Sequence, residues 1–148
     1  MNNIAPIDIL LVEDNANDAE LAIRELKKTI PAEKIKHLED GEQVLEYFKL
    51  KEPGQIKPHH SVLPRVILLD LKMPKIDGIQ VLETIKADKD LRKIPVVVLT
   101  SSKEDPDLRR CYELGVNSYI VKPVEFKEFM AIISEIGIYW VNHNQKPV

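Results

Sequence analysis

Only one cysteine, Cys111, occurs in the 148 residues. A lone thiol rules out an intrachain disulfide and any cage of several thiolates around a metal, and Cys111 reads as a helix residue with no redox role. Excess basic charge is lacking as well. With 21 Lys and Arg against 24 Asp and Glu the net charge is -3, whereas a nucleic-acid binder needs clustered cations to neutralise phosphates. No nucleic-acid partner is expected. No apolar run approaches the roughly 20 residues that cross a bilayer. The start Met1-Asn2-Asn3-Ile4 lacks the basic-then-apolar order of a secretion signal. The expected location is the cytoplasm, with no membrane partner. What remains is 44% apolar and 30% charged, the balance of a folded, soluble protein. The length suits one domain, residues 1–148, and leaves no room for a conventional output domain beside it.

Short apolar runs alternate with helical periodicity along the chain. Ile7 to Val12 is nearly continuous in apolar residues, the pattern of a strand covered on both faces. Ala19, Leu21, Ala22, Ile23 and Leu26 then recur at helical spacing within about 15–30, before Pro31 ends the helix. A weaker strand at Ile35–Leu38 follows, and Asp40-Gly41-Glu42-Gln43 predicts a capping-box start to a helix reaching about Lys49. Pro53, Gly54, Pro58 and Pro64 make 51–64 a long loop, and long loops often serve partners. Beyond it the spacing predicts a strand over Val66–Leu69 and a helix over Gly78–Ala87. A strand over Ile94–Leu99, a helix near Pro106–Leu114 and a strand over Val116–Val121 come next. An extended last helix over about 125–142 places Phe126, Phe129, Met130, Ile133, Gly137 and Trp140 on one face, which should dock on the sheet. Alternating strands and helices of this kind predict α/β architecture, a doubly wound five-stranded parallel sheet with helices on both faces. Ligands in such sheets bind beyond the carboxyl ends of the strands, where the strand order reverses.

Polar groups stand where the apolar runs stop: Glu13-Asp14, Asp70, Thr100-Ser101 and Lys122-Pro123. The predicted topology brings three carboxylates, hydroxyls and one ammonium to a single sheet edge. Two carboxylates about 4 Å apart repel by roughly 4 kcal/mol at an effective dielectric near 20. Such a cluster calls for cations, and Mg²⁺ suits hard oxygens and phosphate together. A strand-end aspartate can also act as a nucleophile and form an acyl phosphate; Asp70 is best placed for that. Lys122 and a metal would then neutralise the transferring phosphoryl group, and the Thr100 hydroxyl would donate to it. Singly these residues have plainer explanations. Asp14 or Asn15 would cap a helix, Thr100 to Ser102 would form a turn, and Lys122 would be a solvated charge. Four separate strands ending in compatible chemistry favour the joint reading.

The segments Leu-Leu-Val-Glu13-Asp14-Asn, Leu-Leu-Asp70-Leu-Lys-Met73-Pro74 with Asp77-Gly78, Val-Val-Leu-Thr100-Ser and Tyr119-Ile-Val-Lys122-Pro123 resemble the receiver domains of two-component response regulators. The resemblance runs from Ile7 to about Ser134 and implies a flavodoxin-like receiver fold with a core over about 7–134. It further implies that a sensor histidine kinase phosphorylates Asp70, and that Glu13, Asp14, Asp70 and the backbone carbonyl of Lys72 hold Mg²⁺. Thr100 and Tyr119 would act as the switch pair, and Lys122-Pro123 would be joined by a cis peptide. Such a protein is no enzyme beyond its own Mg-dependent phosphorylation and dephosphorylation. Gly78 is expected to allow a close approach or an unusual backbone angle after the acceptor loop. More narrowly, the 51–64 loop and the Ile136-Gly-Ile-Tyr139-Trp140 end resemble the response regulators of cyanobacterial phytochromes. That implies a phytochrome as the kinase and a homodimer through the last strands and helices. The surplus apolar residues Ile138, Tyr139 and Val141 also motivate the dimer. The first helix, near Asp18 to Arg24, is the expected kinase contact.

Competing patterns fit less well. Haloacid-dehalogenase and topoisomerase-primase metal sites both want a second acid two residues after the first, where Lys72 stands. A calcium loop from Asp14 fails because Ala16 offers no side-chain oxygen and Ala19 replaces the turn glycine. His59-His60, in the proline-rich loop, is assigned nothing. A receiver-fold interaction module that works without phosphorylation remains as the alternative from another class.

Overall fold

The computed structural model describes residues 6–49 and 63–147; most of the expected 51–64 loop therefore lies outside the described residues. Five strands run parallel in the order β2-β1-β3-β4-β5: β1 (Ile9–Val12), β2 (Ile35–Leu38), β3 (Val66–Leu69), β4 (Val96–Thr100) and β5 (Ser118–Val121). The crossovers are α1 (Ala16–Leu26), α2 (Gly41–Tyr47), α3 (Gly78–Ala87) and α4 (Asp105–Glu113), and α5 (Phe126–Gly137) closes the α/β alternation. β1, β3 and β4 are fully buried, as their uninterrupted apolar runs require in the interior of a two-sided sheet. Alternate side chains serve opposite faces. Leu10, Val12, Ile67, Leu69, Val96 and Val98 meet Val44 and Phe48 from around α2, and Val81, Leu82 and Ile85 of α3. Ile9, Leu11, Val66, Leu68, Val97 and Leu99 meet Ala19 and Ala22 of α1 and Phe129, Ile133 and Ile136 of α5. Helices thus cover both faces.

Caps and edges refine the expected boundaries. Asn15 caps α1, its side chain accepting the Asp18 N–H at 3.0 Å. Asp40 caps α2 by accepting the Gln43 N–H at 2.9 Å, but Gln43 turns back to the Glu39 N–H, so no full capping box forms there. The reciprocal box belongs to Asp77 and Gln80 at α3. α1 ends at Leu26 rather than near residue 30, because a turn at 27–29 carries Ile30 into the core. The last strand starts at Ser118 rather than Val116: Asn117 accepts the Val96 N–H at 2.9 Å through its side chain and donates its own N–H to the Val96 carbonyl. β4 starts at Val96, since Leu91–Lys93 is a 3-10 turn and Ile94-Pro95 leads out of it.

The C-terminal helix departs most from expectation. It is α-helical only to Gly137, and Ile138–His143 continue as a π-helix, closed by an Asn144 N–H to Tyr139 carbonyl bond of 2.7 Å. Gly137 packs so closely on α1 that a Cβ there would lie 2.9 Å from Leu26 Cδ2 and 3.4 Å from Ile30 Cδ1. The wider π turn then lays half-buried Trp140 and Val141 against the α1–α5 side of the core. Phe126 does not join that core; it is 56% exposed, and Ile136 takes the inward place instead.

Cys111 sits on the buried face of α4 with no exposure. Burial, with the charge of Asp107 adding, pushes its thiol up to about 11. Since the thiolate is the reactive form, a thiol reagent at about pH 8 is expected to label native protein at least about a hundredfold more slowly than urea-unfolded protein. Equal rates would place Cys111 at the surface.

Candidate functional site

The strand order reverses between β1 and β3, opening a crevice at their carboxyl ends. Val12 and Leu69 are register partners, so the next residues, Glu13 and Asp70, emerge side by side. The Glu13 N–H donates to the Leu38 carbonyl at 3.0 Å and the Asp70 N–H to the Val12 carbonyl at 3.1 Å, which extends the ladder just far enough to fix both carboxylates. Both are buried, while Asp14 is exposed. A carboxylate oxygen from each of Glu13, Asp14 and Asp70 lies within 4.8 Å of the others. Each pair at that spacing repels by roughly 3–4 kcal/mol at an effective dielectric near 20.

Lys122 supplies the neutralising cation. Its N–H donates to the Thr100 carbonyl at 2.7 Å, anchoring the backbone at the end of β5. Its Nζ reaches Glu13 Oε1 at 2.6 Å, Asp18 Oδ2 at 2.9 Å and Asp70 Oδ2 at 3.4 Å. Burial pushes the Glu13 carboxyl up to about 7; the Lys122 hydrogen bond opposes the rise and the charge of Asp70 adds to it. Burial works to lower the Lys122 ammonium, but its bonds to Glu13 and Asp18 and the charges of Glu13 and Asp70 outweigh that and hold it above the usual range.

The Lys122–Pro123 bond is trans, as is every described peptide bond, which corrects the expected cis linkage. Trans is favoured by about 0.5–1 kcal/mol for X–Pro bonds, and with it Lys122 already makes its ladder bond and its three carboxylate contacts.

Thr100, fully buried, accepts the Ser102 N–H on Oγ1 at 3.3 Å. Tyr119 pairs with Val98 in the sheet, and its hydroxyl donates to the Ser102 carbonyl at 3.0 Å. The two expected switch residues therefore hold the same turn from opposite ends. Lys72, expected to contribute only its carbonyl, also uses its side chain: Nζ lies 3.2 Å from Asp107 Oδ2, which accepts the Ser102 hydroxyl at 2.6 Å. The hydrogen bond and charge of Asp107 raise the Lys72 ammonium. The Lys72 N–H points the other way, to Asp70 Oδ1 at 3.3 Å. Gly78 begins α3 against the acceptor loop, its N–H donating to the Leu71 carbonyl at 2.9 Å. A Cβ at Gly78 would strike the Asp70 carbonyl oxygen and come within 2.6 Å of Leu71 Cα. Close approach, rather than a left-handed angle, is what demands glycine here.

Sequence reasoning missed Asp18, Ser102 and Asp107 as members of the site. Asp18 lies in the first turn of α1, three residues after its cap Asn15, and no motif spacing singled it out. Nothing in the pattern marked Asp107, an acid in the first turn of α4.

The donor set fits a small, hard divalent cation. All three donors are carboxylate oxygens, and opposite oxygens around Mg²⁺ at 2.1 Å would be about 4.2 Å apart, near the observed 4.8 Å limit. Exposed Asp14 leaves one side of the cluster open for water or phosphate oxygens.

Residues 9–134 match the family model for the response regulator receiver domain. Over 142 residues the chain is 45% identical to the probable methanogenesis regulatory protein FilR2 of Methanothrix harundinacea, covering 96% of this chain and 88% of that protein. It is 38% identical over 136 residues to the response regulator Rcp1 of Synechocystis, covering 92% of this chain and 90% of Rcp1. The structure of Rcp1 in its Mn²⁺-bound form superposes with a TM-score of 0.82 at 36% identity, covering 97% of this chain and all of that one. That of the phosphorylated cyanobacterial phytochrome response regulator RcpA superposes with a TM-score of 0.83 at 33% identity, with the same coverage.

Proposed function

The chain belongs to the response regulator receiver family and is a two-component response regulator, and from that premise we propose that Asp70 is its phospho-acceptor. The observation that carries this reading is the convergence of Glu13, Asp14 and Asp70 within 4.8 Å, with the Lys122 ammonium 3.4 Å from Asp70. An Asp70 carboxylate oxygen attacks the phosphorus of a phosphohistidine on the kinase; the P–N bond breaks, the imidazole leaves, and an acyl phosphate remains. Glu13, Asp14, Asp70 and the Lys72 carbonyl would hold Mg²⁺, which when bound offsets charge on the phosphoryl oxygens. The Mn²⁺-bound form of Rcp1 supports a divalent ion as the cofactor.

Lys122 neutralises a phosphoryl oxygen, and the Thr100 hydroxyl donates to another. The same Thr100 oxygen accepts the Ser102 N–H, so a shift of Thr100 toward the phosphoryl group pulls on a turn that also carries the Tyr119 hydroxyl and Asp107. The displacement passes to α4 and β5. The same residues assist hydrolysis of the acyl phosphate by water, so the protein resets itself and turns over no separate substrate.

The sensor histidine kinase is proposed to be a phytochrome, supported by the likeness to RcpA and Rcp1. Ile138 and Tyr139, with Phe126, leave apolar surface beside α5 that suits a homodimer through the last strands and helices. The downstream partner is a protein rather than a nucleic acid, given the net charge of -3. A cytoplasmic location accords with the absence, among the described residues, of any helix long and apolar enough to cross a membrane.

Intact mass after incubation with Mg²⁺ and a small acyl-phosphate donor tests the reading. Wild-type protein is expected to gain one phosphoryl group, and chelation of the metal is expected to cut the yield by at least about tenfold. No gain, even with a kinase as donor, would turn the assignment toward the phosphorylation-independent interaction module.

A further inference from the structure

Three carboxylates share the Lys122 ammonium, and only two of them have a place in the acceptor chemistry. Asp18 is the third, and its oxygen lies 2.9 Å from Nζ, closer than the 3.4 Å of Asp70. The ammonium has three N–H donors, and Glu13, Asp18 and Asp70 account for three acceptors. Asp18 stands outside the group of carboxylates that could share one cation. Its position is fixed by the first turn of α1, where its N–H is held by the Asn15 side chain. The contact spans 104 residues of sequence and is made by a lysine side chain only 10% exposed.

Resting on the reading of Asp70 as acceptor, we propose that Asp18 is a positioning residue that competes with the phosphoryl group for Lys122 and thereby shortens the life of the phosphorylated state. A phosphoryl group brings roughly -1.5 to -2 charge and several acceptor oxygens. One N–H of Lys122 must turn to it, and Asp18 is the partner that draws the ammonium toward α1. The Asp18 charge also adds to the negative field that the phosphoryl oxygens meet. Both effects favour the unmodified protein, and both vanish when the charge is removed while the oxygen is kept.

The test uses beryllofluoride with Mg²⁺ as a non-covalent phosphoryl mimic, which takes kinase docking out of the comparison. In Asp18→Asn, affinity by ¹⁹F resonance titration is expected to rise roughly three- to tenfold, the scale of a partly screened ion pair. Hydrolysis of the acyl phosphate formed from a small donor is expected to slow by a similar factor. Asp18→Glu, which keeps the charge, is expected to return both values toward wild type, and Asp18→Ser provides a second neutral variant if the amide folds poorly. A merely structural role would not produce tighter binding that the conservative variant reverses. Equal or weaker affinity in both neutral variants, with wild type binding normally, would overturn the role of Asp18 alone. Failure of wild type to bind beryllofluoride at all would bring down the acceptor reading and this inference with it.

Discussion

Asp70→Asn is expected to leave a folded protein that gains no phosphoryl group from either a small donor or a kinase. The amide oxygen is a far poorer nucleophile than a carboxylate, so the covalent step itself is lost. The fold should tolerate the change. Lys122 keeps Glu13 at 2.6 Å and Asp18 at 2.9 Å, and the lost contact, at 3.4 Å, is the longest of the three. Removing one of two neighbouring buried carboxylates also relieves repulsion with Glu13, so the net change in stability is expected to stay within about 1 kcal/mol. Mg²⁺ affinity is a separate readout and should fall by about tenfold or more as one anionic donor disappears. A mass gain persisting in Asp70→Asn would place the acceptor on another residue.

Gly78→Ala is expected to damage stability and metal binding together. The added Cβ meets backbone, not a flexible side chain: the Asp70 carbonyl oxygen, Leu71 Cα at 2.6 Å and the Asp70 carbonyl carbon at 3.0 Å. Relief requires moving either α3 or the acceptor loop, and the Gly78 N–H bond to the Leu71 carbonyl ties the two. Overpacking of this kind costs about 3 kcal/mol, a fall in Tm of roughly 6–12 °C for a domain of this size. Gly115→Ala is the informative comparison. Gly115 has φ of +91° with nothing near its missing Cβ, so alanine there pays backbone strain of about 1 kcal/mol without touching Asp70. Mg²⁺ titration should therefore separate the variants, weakened in the first and unchanged in the second. Wild-type affinity in a folded Gly78→Ala protein would show that the loop can shift without disturbing the carboxylate.

The contrast between what could and could not be read beforehand follows from where information sits in a chain. β1, β3 and β4 were legible because strands buried on both faces need uninterrupted apolar runs. Glu13, Asp14, Asp70, Thr100 and Lys122 were legible because a polar residue ending such a run stands at the sheet edge. Asp18 was not, because its contact with Lys122 depends on how α1 is rotated about its own axis, which neighbouring residues do not encode. Asp107 was hidden in the same way: it meets Lys72 only because α4 starts beside the acceptor loop. The π-helix at Ile138–His143 was also invisible, since its residues are equally acceptable in an α-helix and only packing after Gly137 favours the wider turn. The cis bond failed for a different reason, as a resemblance in two residues does not fix the isomer of the bond between them.

β5 lies at the edge of the sheet, pairs among the described residues with β4 alone, and delivers Lys122. The cation therefore arrives last as the polypeptide is made, more than fifty residues after Asp70. At a synthesis rate of about 5–20 residues per second, there is an interval of several seconds in which the acidic cluster has been translated but its ammonium has not. On the proposed reading of Asp70 as acceptor, a nascent chain in that interval lacks the ammonium that would steady a phosphoryl oxygen. Completion of the sheet and delivery of Lys122 to the acidic cluster therefore coincide.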